Sequence, residues 1–221
     1  MKPKYPLILF DLDGTLTDSA PGITSSVRYA LEQLSKPVPP MSVLRKFVGP
    51  PLYDSFTSLC GLTPAETEHA IALFRKDYKV NGFCNNSVYP GIPEVLCALR
   101  NAGSVLVLAT SKPASMTEKV LGRFQLAQYF QFISAADESD RSNGIGKEAL
   151  ILPALAKFRC PPEEALMIGD TRFDAAGARE AGVSFLGVLY GFGTEDEMRR
   201  EGASLFVSSP SGLLKEVFPV S

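Results

Sequence analysis

Short apolar runs alternate with helical patterns along most of the chain. The runs predict buried strands, at Leu7–Phe10, Val105–Ala109, Phe132–Ala135, Ala165–Ile168, Val183–Leu189 and, more weakly, Leu205–Val207. Apolar residues at helical spacing predict helices between them, at Ile92–Ala102, Lys147–Phe158 and Thr171–Ala181. Alternation of this kind predicts an α/β fold, a doubly wound, mostly parallel sheet with helices on both faces.

Residues 17–85 interrupt this alternation because they contain no strand-like run. An apolar helical stripe comes first, at Ile23, Val27, Ala30, Leu31 and Leu34. Thr63-Pro64-Ala65-Glu66 then has the pattern of a capping box with proline at the first helical position. We therefore predict a small all-helical domain at 17–85, inserted into an α/β core domain made of 1–16 and 86–221. Gly22 and Gly82 lie near its ends, where connections that rotate are expected.

Composition narrows the class of protein. Of 221 residues, 45% are apolar and 21% charged, which is ordinary for a globular protein and excludes disorder. The net charge of −2 provides no basic surface for a nucleic acid polymer, so any phosphate site must be local. No apolar run is long enough to span a membrane, and Leu7–Phe10 is too short for a signal-peptide core. We therefore expect a cytoplasmic protein.

Cysteine and histidine usage excludes several chemistries. The four cysteines are far apart, without the spacing of a zinc site, and are expected to be reduced, at Cys60, Cys84, Cys97 and Cys160. His69 is the only histidine in the sequence and lies in a helical stretch. A serine or cysteine nucleophile activated by histidine is therefore not expected.

Two acids follow the first predicted strand directly. Asp11 and Asp13 are two residues apart, so the period of a strand would point both side chains the same way. Carboxyl ends of parallel strands form the ligand crevice of doubly wound sheets. Two carboxylates there repel each other unless a cation intervenes, and Mg²⁺ prefers such oxygen ligands. The alternative is a solvated Asp-x-Asp-Gly turn.

A second pair of acids follows the strand predicted at Ala165–Ile168. Asp170 stands at the strand end, where its carboxylate can join those of Asp11 and Asp13 in one metal site. Asp174 lies four residues later, near the start of a helix. It supports the site, or it is only an acid favoured by the helix dipole.

Hydroxyl and ammonium groups complete the pattern. Thr110 and Ser111 follow the run Val105–Ala109 and precede a helix, a position suited to anion binding or simply to capping the helix. Lys147 begins another helix, where the dipole disfavours a cation unless a phosphoryl group binds nearby. We expect its ammonium to face that group and to have no structural partner.

Taken in order, these four clusters resemble the motifs of haloacid dehalogenase-like phosphatases. Asp11-x-Asp13-Gly14-Thr15 and Gly169-Asp170-x-x-x-Asp174 are the specific parts. Within that superfamily, the stretches around Gly49, Pro90 and Thr110 look most like the phosphoglycolate phosphatase branch, whose bacterial members include 5′-nucleotidases. The resemblance implies a Rossmann-like core, with the insert as a helical cap.

The resemblance also implies a mechanism for a phosphoric monoester hydrolase. Asp11 is the nucleophile that forms an aspartyl-phosphate, and Asp13 is the general acid and base. Mg²⁺ is bound by Asp11, by the main-chain carbonyl of Asp13 and by Asp170. The implied phosphate ligands are Thr110, Ser111 and Lys147, and the implied supporting residues are Gly14, Thr15 and Asp174.

Substrate identity and two rival functions stay open at this point. The substrate class is a small phosphorylated metabolite, with the cap residues Arg45, Lys46 and Tyr53 as candidate contacts. A sugar phosphomutase of the same fold is the first alternative, and a non-catalytic binding module is the second. The sequence does not indicate an oligomeric state.

Overall fold

The computed structural model describes residues 3–137 and 146–218. Its strands are β1 (Leu7–Phe10), β2 (Thr17–Asp18), β3 (Ser87–Val88), β4 (Val105–Pro113), β5 (Phe132–Ala136), β6 (Ala165–Gly169), β7 (Ser184–Val188) and β8 (Phe206–Val207). Its α-helices are α1 (Ala20–Gln33), α2 (Met41–Leu44), α3 (Leu52–Cys60), α4 (Pro64–Tyr78), α5 (Ile92–Asn101), α6 (Ala114–Arg123), α7 (Lys147–Phe158), α8 (Arg172–Ala181), α9 (Glu195–Arg200) and α10 (Pro210–Val217).

The described residues form two compact units, 18–87 in one and 3–17, 88–137 and 146–218 in the other. In the larger unit, six strands form a parallel sheet in the order β5-β4-β1-β6-β7-β8. The chain runs from β1 outward through β4 to β5 and then returns to β6 on the other side of β1. Ligands bind at the carboxyl ends of strands where the direction of winding reverses in this way. The predicted α/β fold class is confirmed.

The core of the larger unit explains why β1 is apolar throughout. All four β1 residues are buried, as expected for a central strand covered on both faces. Leu7 and Leu9 belong to a cluster with side chains from α7 and α8, while Ile8 and Phe10 point to the opposite face by the period of two. A rigid strand therefore leads directly into the segment Asp11–Thr15.

The smaller unit is helical, as predicted. Helices α1 and α4 pack on each other, and both have buried apolar residues, among them Val27, Leu31, Ala70 and Phe74. Thr63 and Glu66 form the predicted capping box at the start of α4. The one departure is a two-stranded sheet of β2 and β3 at the ends of the unit, too short to produce a periodic signal. We propose that residues 17–85 act as a cap domain, as the sequence predicted.

Gly22 and Gly82 lie near the ends of the helical unit, as expected, but each is part of a helical element. Gly22 is in α1 and Gly82 begins a short 3₁₀ turn. A β-carbon on Gly22 would lie 2.1 Å from the carbonyl oxygen of Gly82, and one on Gly82 would lie 2.4 Å from Ser26 Oγ. These glycines therefore allow two backbones to approach closely, and rotation about them would be blocked by packing.

Candidate active site

Three carboxylates meet at the carboxyl ends of β1 and β6. One oxygen from each of Asp11, Asp170 and Asp174 lies within 4.8 Å of the others, and all three residues are buried. Asp11 follows β1, and its main-chain N–H donates to the carbonyl of Ile168 on β6, which brings the two strand ends together. This acid cluster has the size and oxygen chemistry of a divalent metal site.

Asp170 is held by hydrogen bonds to both of its oxygens. Thr15 Oγ1 donates to Oδ1 at 3.2 Å, and the main-chain N–H of Phe192 donates to Oδ2 at 2.8 Å. Two glycines leave room for the carboxylate, since a β-carbon on Gly14 would lie 2.1 Å from Oδ2 and one on Gly191 2.5 Å from it. Gly14 also has φ +95°, a conformation that favours glycine. The orientation of Asp170 is therefore set from several sides.

Asp174 lies in the first turn of a helix and also in the acid cluster, and its role as a supporting residue stays a prediction. Its Oδ2 accepts hydrogen bonds from the N–H of Thr171 at 3.0 Å and from Thr171 Oγ1 at 2.7 Å, which closes the first turn of α8. Its other oxygen, Oδ1, lies 2.8 Å from Lys147 Nζ. The residue thus starts the helix and belongs to the acid cluster.

Lys147 lies inside the acid cluster, and the expectation that it has no structural partner is wrong. Its Nζ lies 2.5 Å from Asp11 Oδ1 and 2.8 Å from Asp174 Oδ1, and it donates to the carbonyl of Ala109 at 3.0 Å. The side chain is only 4% exposed. Buried carboxylates require a counter-charge, so Lys147 is the cation of the site as well as the proposed phosphate ligand.

Burial and mutual repulsion shift the protonation of this cluster. Burial raises the pKa of Asp11 from its ordinary 3.8 to about 7; Lys147 opposes this rise and Asp174 adds to it. Burial, followed by the charges of Asp174 and Asp11, raises the pKa of Asp170 well above its ordinary value. Burial alone would lower the pKa of Lys147, but Asp11 and Asp174 outweigh it and raise that pKa. Without another cation, the cluster therefore retains protons.

The carboxylate of Asp13 is not one of the three that form the acid cluster, although the sequence predicted that it would join those of Asp11 and Asp170. The strand ends at Phe10, so its period of two does not continue to Asp13. Asp13 forms an isolated bridge with Thr17, and its Oδ2 lies 2.7 Å from Lys112 Nζ. The two acids therefore take different lysines as partners. Metal binding by the main-chain carbonyl of Asp13 stays a prediction.

Thr110 and Ser111 belong to a strand and do not cap a helix. Strand β4 continues through Pro113, and α6 begins only at Ala114. Thr110 is buried, and its Oγ1 accepts a hydrogen bond from the N–H of Lys112 at 3.2 Å. Ser111 is exposed. Of the two interpretations, helix capping is excluded, and phosphate binding stays a prediction.

Sequence reasoning assigned no role to three residues that touch the site. Lys112 follows Thr110 and Ser111 closely, but no partner was predicted for its side chain. Phe192 acts through its main-chain N–H, so its side chain carries no signal. The Tyr190 hydroxyl donates to the carbonyl of Thr15 at 3.0 Å. The glycines that flank Phe192 in Tyr190-Gly191-Phe192-Gly193 are the signal that could have indicated a close approach of this loop.

The candidate cap residues lie in the helical unit. Arg45 and Lys46 are exposed on a 3₁₀ turn, and Tyr53 is half-buried in the first turn of α3. His69 is exposed on α4. No helix among the described residues has the length and apolar character needed to cross a membrane.

Known proteins resemble this chain over most of its length. A 5′-nucleotidase of Pseudomonas aeruginosa is 41% identical over 197 residues, covering 89% of this chain and 88% of that protein. Phosphoglycolate phosphatase 1 of the same species is 30% identical over 216 residues, covering 94% and 78%. Tyrosine-protein kinase PtkA of Mycobacterium tuberculosis is 40% identical over 190 residues, covering 86% of this chain but only 64% of the kinase.

A solved structure and a family model agree with these relatives. The structure of a predicted phosphatase from Clostridium acetobutylicum has a TM-score of 0.88 at 40% identity, covering 96% of this chain and 97% of that one. The model described as haloacid dehalogenase-like hydrolase matches residues 8–188. The resemblance predicted from the motifs is confirmed, and the chain belongs to the haloacid dehalogenase-like hydrolase family.

Proposed function

We propose that the chain is a Mg²⁺-dependent phosphatase that hydrolyses a small phosphate monoester through an aspartyl-phosphate on Asp11. Its class, phosphoric monoester hydrolase, is that of the phosphatases among its relatives. The dependence on Mg²⁺ and the covalent intermediate are additional parts of the proposal. The observation that carries the proposal is the buried cluster of Asp11, Asp170 and Asp174 around Lys147. An ion pair with only a structural role needs one acid for each base, whereas this cluster has three acids for one base.

The charge of the cluster supports a divalent cation. Three buried carboxylates face one ammonium, and burial, together with repulsion among the carboxylates, raises the pKa of Asp11 and of Asp170. A hard cation with oxygen ligands would replace the protons that the cluster otherwise retains. Asp11 and Asp170 would hold it, together with the main-chain carbonyl of Asp13, and Asp174 stands close enough to support it. When bound, Mg²⁺ neutralises the charge of the nucleophile and of the phosphoryl group.

We assign the proton transfers and the covalent bond of a two-step hydrolysis to residues of the chain. A carboxylate oxygen of Asp11 bonds to phosphorus while the bond to the leaving oxygen breaks, and Asp13 gives that oxygen a proton. Water then bonds to phosphorus, Asp13 takes its proton, and the bond from Asp11 breaks to release phosphate. Thr110, Ser111 and Lys147 are the proposed ligands of the phosphoryl oxygens.

Substrate preference is proposed from relatives and from the cap. The names of two relatives point to nucleoside 5′-monophosphates and to phosphoglycolate. Arg45 and Lys46 are exposed cations, and Tyr53 offers a ring and a hydroxyl, which together suit an anionic or aromatic leaving group. The phosphomutase and the non-catalytic module stay as alternatives without a specific observation in their favour, and the cytoplasmic location stays a prediction.

A screen of phosphorylated metabolites tests the function. The protein is dialysed against EDTA and incubated with nucleoside 5′-monophosphates, phosphoglycolate and sugar phosphates, with and without Mg²⁺. We expect release of inorganic phosphate from at least one of them only when Mg²⁺ is present. We also expect Ca²⁺ to inhibit, because its looser coordination can occupy both oxygens of Asp11. Full turnover in excess EDTA would contradict the role of the metal, and isomerisation of a sugar phosphate without phosphate release would favour the phosphomutase.

The raised pKa of Asp11 predicts that Mg²⁺ affinity depends on pH. Because that pKa is about 7 without metal, Mg²⁺ must displace a proton at lower pH. We expect the dissociation constant to fall from pH 5 to 7 by about tenfold per pH unit for each carboxyl proton displaced, and to fall less steeply above pH 8, where Asp11 is ionised. Calorimetric titration with Mg²⁺ measures it.

Stability of the metal-free protein should show the matching trend. The folded pKa of Asp11 is raised, so its proton stabilises the fold most below about pH 4, and this contribution is lost as the pH rises through 7. Mg²⁺ should therefore raise the melting temperature more at pH 8 than at pH 5. The Asp11→Asn variant, which has no proton to lose at this position, is the control. A wild-type Mg²⁺ affinity that is constant from pH 5 to 8 would contradict the assignment of Asp11 as a ligand.

A further inference from the structure

Lys112 is a buried lysine that contacts Asp13, a residue far from it in sequence. Its Nζ donates to Asp13 Oδ2 at 2.7 Å, and its side chain is only 6% exposed. The side chain of Asp13 is 18% exposed. A long cationic side chain is rarely buried unless it is held in one place by a specific partner.

The backbone around Lys112 is irregular, which aims its side chain. On β5, Ala135 pairs with Thr110 and the next residue, Ala136, pairs with Pro113, so Ser111 and Lys112 are extra residues in β4. Such a bulge redirects side chains, often next to active sites. The N–H of Lys112 donates to Thr110 Oγ1 at 3.2 Å, and its carbonyl accepts from Thr117 Oγ1 at 3.2 Å.

The two oxygens of Asp13 have different surroundings. Oδ2 accepts the hydrogen bond from Lys112, whereas Oδ1 is buried and has no hydrogen-bond partner in the structure described by residues 3–137 and 146–218. A buried acceptor without a partner is costly, so such an atom commonly serves a group that is present only during function. In the proposed reaction, that group is the leaving oxygen or the attacking water.

We propose that Lys112 is a positioning residue that holds Asp13 by Oδ2 and so presents Oδ1 for proton transfer. The inference rests on the proposed function. In the first step, the proton on Oδ1 moves to the leaving oxygen as its bond to phosphorus breaks. In the second step, Oδ1 takes a proton from water as the oxygen of that water bonds to phosphorus. Lys112 keeps its own protons throughout and contacts neither the phosphorus nor the leaving group.

Leaving groups of different basicity separate this role from a structural one. Benzyl phosphate, phenyl phosphate and 4-nitrophenyl phosphate have leaving groups of similar shape, but only 4-nitrophenolate departs readily without a proton. The Lys112→Met variant keeps the length of the side chain and removes its charge. We expect it to lower kcat for benzyl phosphate about 100-fold, within the usual contribution of a general acid, and kcat for 4-nitrophenyl phosphate less than fivefold.

Two further variants make the test specific. Lys215 is an exposed lysine on α10, and Lys215→Met should leave all three rates unchanged. In an Asp13→Asn background, Lys112→Met should cause no further loss with benzyl phosphate, because both changes remove the same step. Lys112→Arg keeps the charge and should recover part of the benzyl phosphate rate, with Mg²⁺ affinity unchanged.

The results that overturn the inference are distinct from those that overturn the proposed function. An equal loss with benzyl and 4-nitrophenyl phosphate, or full additivity with Asp13→Asn, would show that Lys112 does not act through Asp13. If Lys112→Met does not fold, Lys112→Arg is used in its place. A Lys112→Arg variant that lowers kcat by the same factor for all three esters would overturn the inference. A wild-type protein that, with Mg²⁺ present, releases phosphate neither from these esters nor from any metabolite of the screen would overturn the proposed function, and with it the inference.

Discussion

The Asp11→Asn variant is expected to fold normally and to retain less than a few per cent of wild-type kcat. The substitution keeps the shape of the side chain but replaces the oxygen nucleophile by an amide. It also removes one partner of Lys147, whose Nζ lies 2.5 Å from Asp11 Oδ1 in the wild type. Steady-state release of phosphate from the best substrate of the screen measures the loss.

Controls for Asp11→Asn separate chemistry from folding. Asp196 is exposed in the first turn of α9, and Asp196→Asn should keep wild-type kinetics. In the wild type, a phosphorylated protein trapped by acid quenching should carry one labile phosphate, which Asp11→Asn lacks. Turnover by Asp11→Asn above a few per cent of the wild-type value, with no sign of deamidation, would contradict the covalent mechanism.

The Lys147→Ala variant is expected to lose both activity and stability. Loss of a cation at the proposed phosphoryl group should lower kcat/KM by about 10²–10³-fold. Because Lys147 also contacts Asp11 and Asp174, its removal leaves buried carboxylates without a counter-charge and should lower the free energy of unfolding by about 3 kcal/mol or more in metal-free buffer. Urea unfolding in EDTA at pH 8 measures the stability.

The pH and the metal should modulate this loss of stability. At pH 5 the carboxyl groups of the cluster can take up protons, so Lys147→Ala should lose less stability there than at pH 8. Mg²⁺ should restore part of the loss at pH 8, because it can replace the missing positive charge. Lys215→Ala, at an exposed position of α10, is the matched control. Equal stability of wild type and Lys147→Ala at pH 8 in EDTA would show that the ion pairs contribute nothing.

Local pattern was sufficient to predict the architecture. The apolar runs that precede Asp11, Thr110 and Asp170 became neighbouring strands β1, β4 and β6, because a buried parallel strand must be apolar on both faces. The carboxyl ends of such strands lie at one edge of the sheet. Asp11 and Asp170, the acids that follow two of these strands, could therefore be placed near each other without any knowledge of distances.

The details of the site could not be predicted in the same way. The period of two suggested that the side chains of Asp11 and Asp13 point the same way, but the strand ends before both of them, and Asp13 contacts Lys112. Asp174 was expected only to support the site, yet its carboxylate lies in the acid cluster. Side-chain direction beyond a strand end depends on individual backbone angles, which periodicity does not determine.

The sequence by itself determined the class of fold, the helical insert and the meeting of Asp11 and Asp170 at one edge of the sheet. Only the tertiary structure decided which charges are partners. Lys147 contacts Asp11 from 136 positions away, and Lys112 contacts Asp13 from 99 positions away. The periodicity of burial can be read from residues close together in the sequence, because each strand or helix buries its own apolar face. Ion pairing in a buried site depends on the distances between elements that are distant in the chain, and those distances exist only after the sheet has formed.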